Sequence, residues 1–343
     1  MYKIENISSI QFELSSHCNS KCPQCPRFDS QGNVKKDLKL NHLDLSIIEK
    51  LPLSKMKNLT NVEFCGNFGD PLMHPQLDSV INFFHKQKIS ISTNASLRNR
   101  QWWRTLGQNE NITVTFCIDG IGDTHELYRR NTSYKKIIEN ARAFIEVGGK
   151  AKWQFIVFKH NEHQINEAKI TAEEMGFEKI YFKYSDRFDT DNKFRVYENN
   201  KYLYDLEKST KQTTLRDFLR SGQGDKFWKK MYQNRSREQI SCIWSELNQI
   251  YIHSDAMVYP CCMMASSQVG RNIEKLLFQK IVKNVQELDL SKNEFVQILE
   301  SDAFQKSIPD SFKGDPYNHP ICIEWCNKKT GKYTKRFLNS VNT

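Results

Sequence analysis

The chain has 343 residues, of which 38% are hydrophobic and 26% are charged, and this composition excludes an intrinsically disordered protein. Its formal net charge is +10, and residues 201–240 contribute ten Lys/Arg against five Asp/Glu. This basic segment has two readings, a solvated helical face or a docking surface for an acidic partner, with nucleic acid the least favoured partner because no nucleic-acid motif is present.

Apolar β-branched runs alternate with helical patterns along the first half of the chain. The runs predict six strands at 9–16, 61–66, 88–94, 113–119, 152–158 and 179–185. The helical patterns lie at 42–51, 76–87, 133–148 and 162–176, the last closing on Gly176 as a C-cap. Because parallel strands need crossover connections, this series predicts an α/β fold, a partial (βα)6 TIM-like barrel over residues 1–190.

Later segments differ from this pattern. Residues 191–240 are polar and helix-prone, which predicts a basic helical connector, and residues 241–343 form a small cysteine-containing domain. The N-terminus lacks the apolar run of a signal peptide, and no stretch of about 18 apolar residues predicts a transmembrane helix. We therefore expect a cytoplasmic protein with no membrane contact, in which ten cysteines are ligands or reactive thiols rather than disulfides.

Three cysteines, Cys18, Cys22 and Cys25, directly follow the first predicted strand with the spacing C-x3-C-x2-C. A structural zinc site would need a fourth ligand, and no suitably spaced Cys or His pair follows within about 20 residues. Three thiolates can instead hold three irons of a [4Fe–4S] cluster and leave the fourth iron open. Glycines and polar residues also follow the next three strands, and parallel α/β folds gather their chemistry at that edge.

This loop, "CNSKCPQCPR", resembles that of the radical S-adenosylmethionine (SAM) superfamily, in the subgroup with twitch or SPASM C-terminal extensions. The resemblance implies that SAM binds the open iron, that one electron from a donor such as flavodoxin or ferredoxin cleaves it, and that the resulting 5′-deoxyadenosyl radical takes a hydrogen atom from the substrate. It covers about residues 8–185.

Other segments resemble the SAM-binding motifs of that superfamily. Phe68-Gly69-Asp70-Pro71 stands where the family writes G-G-E-P, with Phe for one Gly and Asp for Glu, and it implies contact with the SAM amino group. In "FCIDGIGDTHELYRR", Arg129 would pair with the SAM carboxylate. The remaining contacts implied are those with the ribose and the adenine: Ser92, Asn94, Phe155, Ile156 and Val157.

A second group of cysteines resembles the ligand set of twitch and SPASM modules. The resemblance implies a fully ligated auxiliary [4Fe–4S] cluster, and Ala256 stands where a turn glycine is common. Only two cysteines follow Cys262, so one auxiliary cluster fits, the twitch form, while a zinc ribbon and a choice between the adjacent Cys261 and Cys262 stay open. The implied ligands are Cys242, Cys261, Cys322 and Cys326.

Cys65 and Cys117 lie in apolar strands, where small core residues are the default reading. The alternative is that one of them donates a hydrogen atom to a substrate radical, as an epimerase would need. The resemblance implies either modification of a peptide or protein, which the basic 201–240 segment favours as a docking surface, or a dehydrogenase or epimerase of a small alcohol; a non-catalytic iron–sulfur or zinc scaffold remains a further alternative. The sequence does not determine the substrate or the oligomeric state.

Overall fold

An eight-stranded sheet is the centre of the computed structural model, which describes residues 2–211, 240–269, 272–314 and 318–326. All six predicted strands are confirmed. They run parallel in chain order, and their bounds are β1 Ser9–Phe12, β2 Asn61–Phe64, β3 Lys88–Thr93, β4 Ile112–Cys117, β5 Lys150–Val157 and β6 Lys179–Tyr184. The partial-barrel prediction is therefore confirmed.

Helices connect the strands, and the four predicted ones are present. Asp44 caps α1 by accepting a hydrogen bond from the Ser46 backbone N–H, and Gly176 ends α6 in the left-handed conformation at φ 83°. Sequence patterns missed α3 and α4. The bounds are α1 Leu45–Glu49, α2 Leu77–Phe83, α3 Arg100–Gly107, α4 Asp123–Tyr128, α5 Tyr134–Ile145 and α6 Ile165–Met175.

Alternation along the strands separates two environments. In β5, every second residue is buried, and Trp153 and Phe155 lie with the helices in the main core. Residues on the other face are mostly polar and half-buried, as Gln154 is. On that inner face Gln11 donates a 2.9 Å hydrogen bond to Glu63 across β1 and β2. The barrel therefore surrounds a polar lumen.

The C-terminal region adds two strands to the same sheet. β9, Gln249–Ile252, pairs in parallel with β1, and β10, Val258–Tyr259, pairs antiparallel with β9. The region expected to be a separate domain from residue 241 thus begins by extending the barrel sheet. Its helices are α7 Ile243–Glu246, α8 Cys262–Ser266, α9 Asn272–Ile281, α10 Phe295–Glu300, α11 Ile308–Phe312 and α12 Pro320–Cys326. Every helix in the described ranges is too short or too polar to cross a bilayer.

The helical connector expected at 191–240 needs correction in its first part. Residues 193–207 form an antiparallel hairpin of β7, Lys193–Glu198, and β8, Lys201–Glu207. Asn199 and Asn200 both have positive φ, 50° and 68°, as a two-residue hairpin turn requires. This turn and the burial of apolar residues such as Val196 and Leu206 stabilise the hairpin despite the helix-prone composition of the segment. The rest of the basic segment, 212–239, lies outside the described residues.

Candidate active site

The loop after β1 places the first three cysteines at the carboxyl edge of the sheet. Cys22 is buried, Cys18 and Cys25 are half-buried, and all three are free thiols. Burial, and after it the neighbouring Cys22 thiol, raise the pKa of Cys25 to about 11. Burial and then Asp70 raise the pKa of Cys18 above its ordinary value. These thiols would become thiolates only beside a strong positive charge, such as a bound metal centre.

The loop after β2 packs backbone to backbone against the cysteine loop. The Asp70 N–H donates a 2.9 Å hydrogen bond to the His17 carbonyl, and a Cβ on Gly69 would lie 1.8 Å from the Ser15 carbonyl oxygen. Glycine is thus required here by the close approach of the two chains. Phe68 is buried, with Leu38 and Val269 as its neighbours. A ligand at this loop would therefore meet backbone groups.

The Asp70 carboxylate joins this loop to the end of β3. It accepts hydrogen bonds from the Thr93 hydroxyl at 2.8 Å, the Asn94 N–H at 2.8 Å and the Leu72 N–H at 3.0 Å. Burial raises its pKa, while these donors oppose that rise. The Asp70 carboxylate therefore positions Asn94, whose side-chain amide lies 3.6 Å from Cys18 Sγ. Ser92 lies two residues earlier on β3.

Arg129 follows α4 and points at the cysteine loop. Its Nε donates a 2.5 Å hydrogen bond to the buried Asp119 carboxylate, and its Nη1 lies 3.7 Å from Cys22 Sγ. Burial lowers the pKa of Arg129, but Asp119 together with the neighbouring Cys22, Cys117 and Tyr128 groups outweighs burial and holds that pKa above its ordinary value. Asp119 also accepts from the Ile156 N–H at 2.5 Å. A charged guanidinium is thereby fixed beside Cys22 between β4 and β5.

The structure separates the three residues expected at the adenine. Ile156 packs in a small apolar cluster with Cys22 and Cys25. Phe155 and Val157 are fully buried in the main core on the helix side of β5. Neighbouring residues of a strand point to opposite faces, so the three could not share one surface.

The two candidate hydrogen donors are buried thiols near the lumen. Cys65 donates to the Phe12 carbonyl at 3.2 Å and lies 3.6 Å from a Glu13 carboxylate oxygen. Cys117 accepts a 3.7 Å contact from the Gln154 amide, and burial raises its pKa to about 11. Burial raises the pKa of both thiols, which favours the S–H form that a hydrogen-atom donor needs.

Glu13, at the end of β1, is a site residue that the sequence reasoning missed. It is fully buried and accepts backbone hydrogen bonds from three successive residues of the β2 loop, at 2.9, 2.9 and 2.8 Å. The Tyr251 hydroxyl donates a fourth at 3.0 Å. His253, whose ring lies 5.7 Å from that of Phe68, partly offsets the effect of burial on the Glu13 pKa, which is raised. A lone acid in the run "SIQFELSS" was the available signal.

The β7–β8 hairpin covers the cysteine loop from outside. Glu198 forms salt bridges with Lys21 at 2.6 Å and with Arg130 at 2.8 Å. Val196 and Leu206 pack in the same apolar cluster as Cys22. A cavity of about 170 Å³ lies between the hairpin, the cysteine loop and the segment 28–34. The hairpin thus shields this loop from water, a role that the sequence did not reveal.

The second group of cysteines comes together around α7, α8 and α12. Cys242 and Cys261 are the N-cap residues of α7 and α8, and Cys322 and Cys326 lie four residues apart on one face of α12. The Ser241 N–H donates to the Cys326 carbonyl at 3.1 Å, which holds the ends of the group together. All four are buried, and after burial the Cys242 thiol is the largest cause of the raised pKa values of the other three.

Cys262 faces a different way from this group. Burial and then the carboxylates of Glu63 and Glu13 raise its pKa to about 12, so its thiol lies toward the barrel. The Cys261 sulfur accepts from the Met264 N–H at 3.4 Å, and the Cys242, Cys262 and Cys322 thiols all act on its pKa. Ala256 has φ 66°, a left-handed turn position that suits the glycine common there.

Comparisons with known proteins find matches for the C-terminal cysteine region and for the fold of most of the chain. Residues 242–328 match the family model of SPASM, described as an iron–sulfur cluster-binding domain. No curated protein is significantly similar in sequence.

Solved structures share the fold across most of the chain. The structure of anSMEcpe with bound S-adenosylmethionine and a peptide, Cp18Cys, is 17% identical, with a TM-score of 0.53 over 89% of this chain and 83% of that one. SuiB of Streptococcus suis bound to S-adenosylmethionine is 16% identical, with a TM-score of 0.51 over 92% and 68%. The structure of SuiB bound to the precursor peptide SuiA is also 16% identical, with a TM-score of 0.51 over 91% of this chain and 66% of that one. The chain therefore joins a barrel with the fold of radical SAM enzymes to a C-terminal SPASM iron–sulfur cluster-binding domain.

Proposed function

We propose that the chain cleaves SAM reductively at a [4Fe–4S] cluster held by Cys18, Cys22 and Cys25. The observation that carries this proposal is the charged guanidinium of Arg129, held 3.7 Å from Cys22 Sγ by its bond to Asp119. A guanidinium beside a three-thiol loop suits a ligand with a carboxylate end, because it can bind both carboxylate oxygens at once.

The residues of this site fit such a cluster. The donors are all thiols, and the Asn94 amide and the Arg129 guanidinium both reach their sulfur atoms. When bound, the cluster and SAM together would supply an organic radical able to take a hydrogen atom from an unactivated C–H bond. Asp119 keeps Arg129 oriented, and the hairpin anchored by Glu198 limits access of water to the loop.

The four C-terminal cysteines fit a second, fully ligated cluster. Such a cluster could accept an electron from a substrate radical, whereas a zinc ion held by the same four thiolates could not.

For the substrate, we favour a peptide or protein that is oxidised or otherwise modified. Solved structures of the same fold hold a peptide, Cp18Cys in anSMEcpe and SuiA in SuiB. The sheet is open between β6 and β10, and Tyr181 and Lys183 on β6 are exposed at that opening. A chain could enter the polar lumen from this side without unfolding the barrel.

The test is SAM cleavage by the anaerobically reconstituted protein with dithionite. We expect 5′-deoxyadenosine to be released, and replacing Cys18, Cys22 and Cys25 together by Ala to abolish it. Replacing Cys262 by Ala is the matched control, because it removes a half-buried thiol outside the three-cysteine loop and should leave cleavage without substrate intact. Persistent cleavage in the triple variant would refute the cluster assignment.

The substrate class needs its own measurement. Deuterated peptides and deuterated aminoglycosides are compared for transfer of deuterium into 5′-deoxyadenosine. Transfer from a peptide supports the proposal. Transfer from a sugar alcohol alone would replace it by a small-molecule dehydrogenase.

A further inference from the structure

Tyr2 connects the start of the chain to the C-terminal cysteine group. Its side chain is 4% exposed, and its ring packs edge-on against Phe304 with 5.1 Å between ring centroids. Its carbonyl accepts a 2.7 Å hydrogen bond from the Gln305 side chain. The ring is therefore fixed from two sides, and so is the direction of its hydroxyl.

The Tyr2 hydroxyl is buried and has no hydrogen-bond partner within the described part of the chain. Ser245 lies close to it, but the two do not meet hydrogen-bond geometry. A buried tyrosine hydroxyl normally finds an acceptor, because burying an unpaired polar group costs free energy. The Tyr2 hydroxyl is thus a hydrogen-bond donor without an acceptor among the described residues.

Three of the four grouped cysteines lie close enough to this hydroxyl to act on its pKa. Burial is the largest cause of the raised Tyr2 pKa, and the thiols of Cys242, Cys261 and Cys322 add to it. Tyr2 and these cysteines are all buried in the main core. If the cysteines hold a cluster, their thiolate sulfurs are hydrogen-bond acceptors beside an unused O–H donor.

We propose that the Tyr2 hydroxyl donates a hydrogen bond to a thiolate sulfur of the auxiliary cluster and thereby raises its reduction potential. Hydrogen bonds to the sulfurs stabilise the more negative, reduced state of an iron–sulfur cluster, and they are one of the means by which a protein sets its potential. The inference rests on the proposed function, since it requires a cluster at these cysteines. Tyr2 is a positioning and tuning residue, not a ligand.

The experiment is a redox titration of the reconstituted holoenzyme followed by electron paramagnetic resonance, for wild type and Tyr2→Phe. Phe keeps the ring that packs on Phe304 and removes only the donor. We expect the potential of the auxiliary cluster to fall, with about a tenfold lower ratio of reduced to oxidised cluster at a fixed ambient potential, or 59 mV for a one-electron couple. The potential of the SAM cluster should not move.

Tyr259→Phe is the matched control. Tyr259 is buried in the same region, packs on Phe278, and its raised pKa is caused by burial and Asp255 rather than by cysteines. We expect it to leave the potential unchanged. Resonance Raman is the second readout, because loss of the hydrogen bond should raise the Fe–S(thiolate) stretching frequency in Tyr2→Phe alone.

The outcomes separate this inference from the proposed function. Two clusters per chain with equal auxiliary potentials in wild type and Tyr2→Phe would overturn the role of Tyr2 and leave the proposed function standing. A wild-type protein that binds only about four irons would remove the auxiliary cluster itself. An equal shift in Tyr2→Phe and Tyr259→Phe would also overturn the inference, since the effect would not be specific to this hydroxyl.

Discussion

Replacing Glu13 by Gln should weaken SAM binding without removing either cluster. The Glu13 carboxylate accepts three backbone N–H groups of the loop 67–69 and the Tyr251 hydroxyl, all within 3.0 Å. Gln has nearly the same shape, but one of its two oxygens becomes an NH2 group that faces donors. Two hydrogen bonds are then lost in a fully buried place.

The magnitude follows from these contacts. A buried donor left without its acceptor costs about 1–3 kcal/mol, and the loss falls on the loop expected to contact the SAM amino group. Since about 1.4 kcal/mol is a factor of ten in an equilibrium constant, we expect the dissociation constant for SAM to rise about tenfold to a hundredfold.

Isothermal titration calorimetry of SAM into the anaerobic, reconstituted enzyme measures this effect. Iron content should stay at that of wild type, because no thiol is removed. Glu63→Gln is the control: Glu63 lies in the same lumen but accepts from the Gln11 side chain instead of the loop backbone. If Glu13→Gln bound SAM within about threefold of wild type, the loop would not depend on this carboxylate and the reasoning would be refuted.

Three other predictions follow from the same sites. Arg129→Lys should weaken SAM binding by at least about tenfold in the same calorimetric assay, because one ammonium cannot bind Asp119 and a ligand carboxylate together; unchanged affinity would remove the clamp role. Cys261→Ala should lower iron from about eight to about four per chain, whereas Cys262→Ala should leave it near eight, and the reverse result would exchange their roles. Burial lowers the pKa of His125 to about 3, so the neutral ring should not titrate by nuclear magnetic resonance between pH 5 and 8. Below its ordinary pKa of about 6.5 this ring takes up a proton in the unfolded chain but stays neutral in the folded protein. The stability that the neutral ring contributes is therefore complete above that pH and falls by about 1.4 kcal/mol by pH 5.5. His125→Asn should not show this loss.

Local pattern was enough to predict the barrel, because each piece of it depends on neighbours in sequence. Alternating apolar residues specify a strand such as β5 whatever it pairs with, and Gly176 ends α6 through its own backbone freedom. Cys18, Cys22 and Cys25 also needed no tertiary information, since one loop carries all three.

Elements that depend on distant partners were missed or misread. The helix-prone composition of residues 191–240 predicted a helix where the β7–β8 hairpin forms. The hairpin is stabilised by packing on the cysteine loop and by salt bridges of Glu198 with Lys21 and Arg130. Spacing alone left the choice between Cys261 and Cys262 open. In the fold, Cys261 faces the grouped thiols and Cys262 faces the barrel acids.

The sequence by itself thus predicted the six parallel strands and the three-cysteine loop, because periodicity and spacing are local properties, while the second cysteine group was implied by a family resemblance. Only the tertiary structure decided which side chains orient them. Glu13 reaches the β2 loop from the end of β1, Asp119 orients Arg129, and the pKa of Tyr2 is raised by thiols that lie about 240 residues or more along the chain. Hydrogen bonds and charges act over a few ångströms in space, and that proximity exists only after the chain has folded.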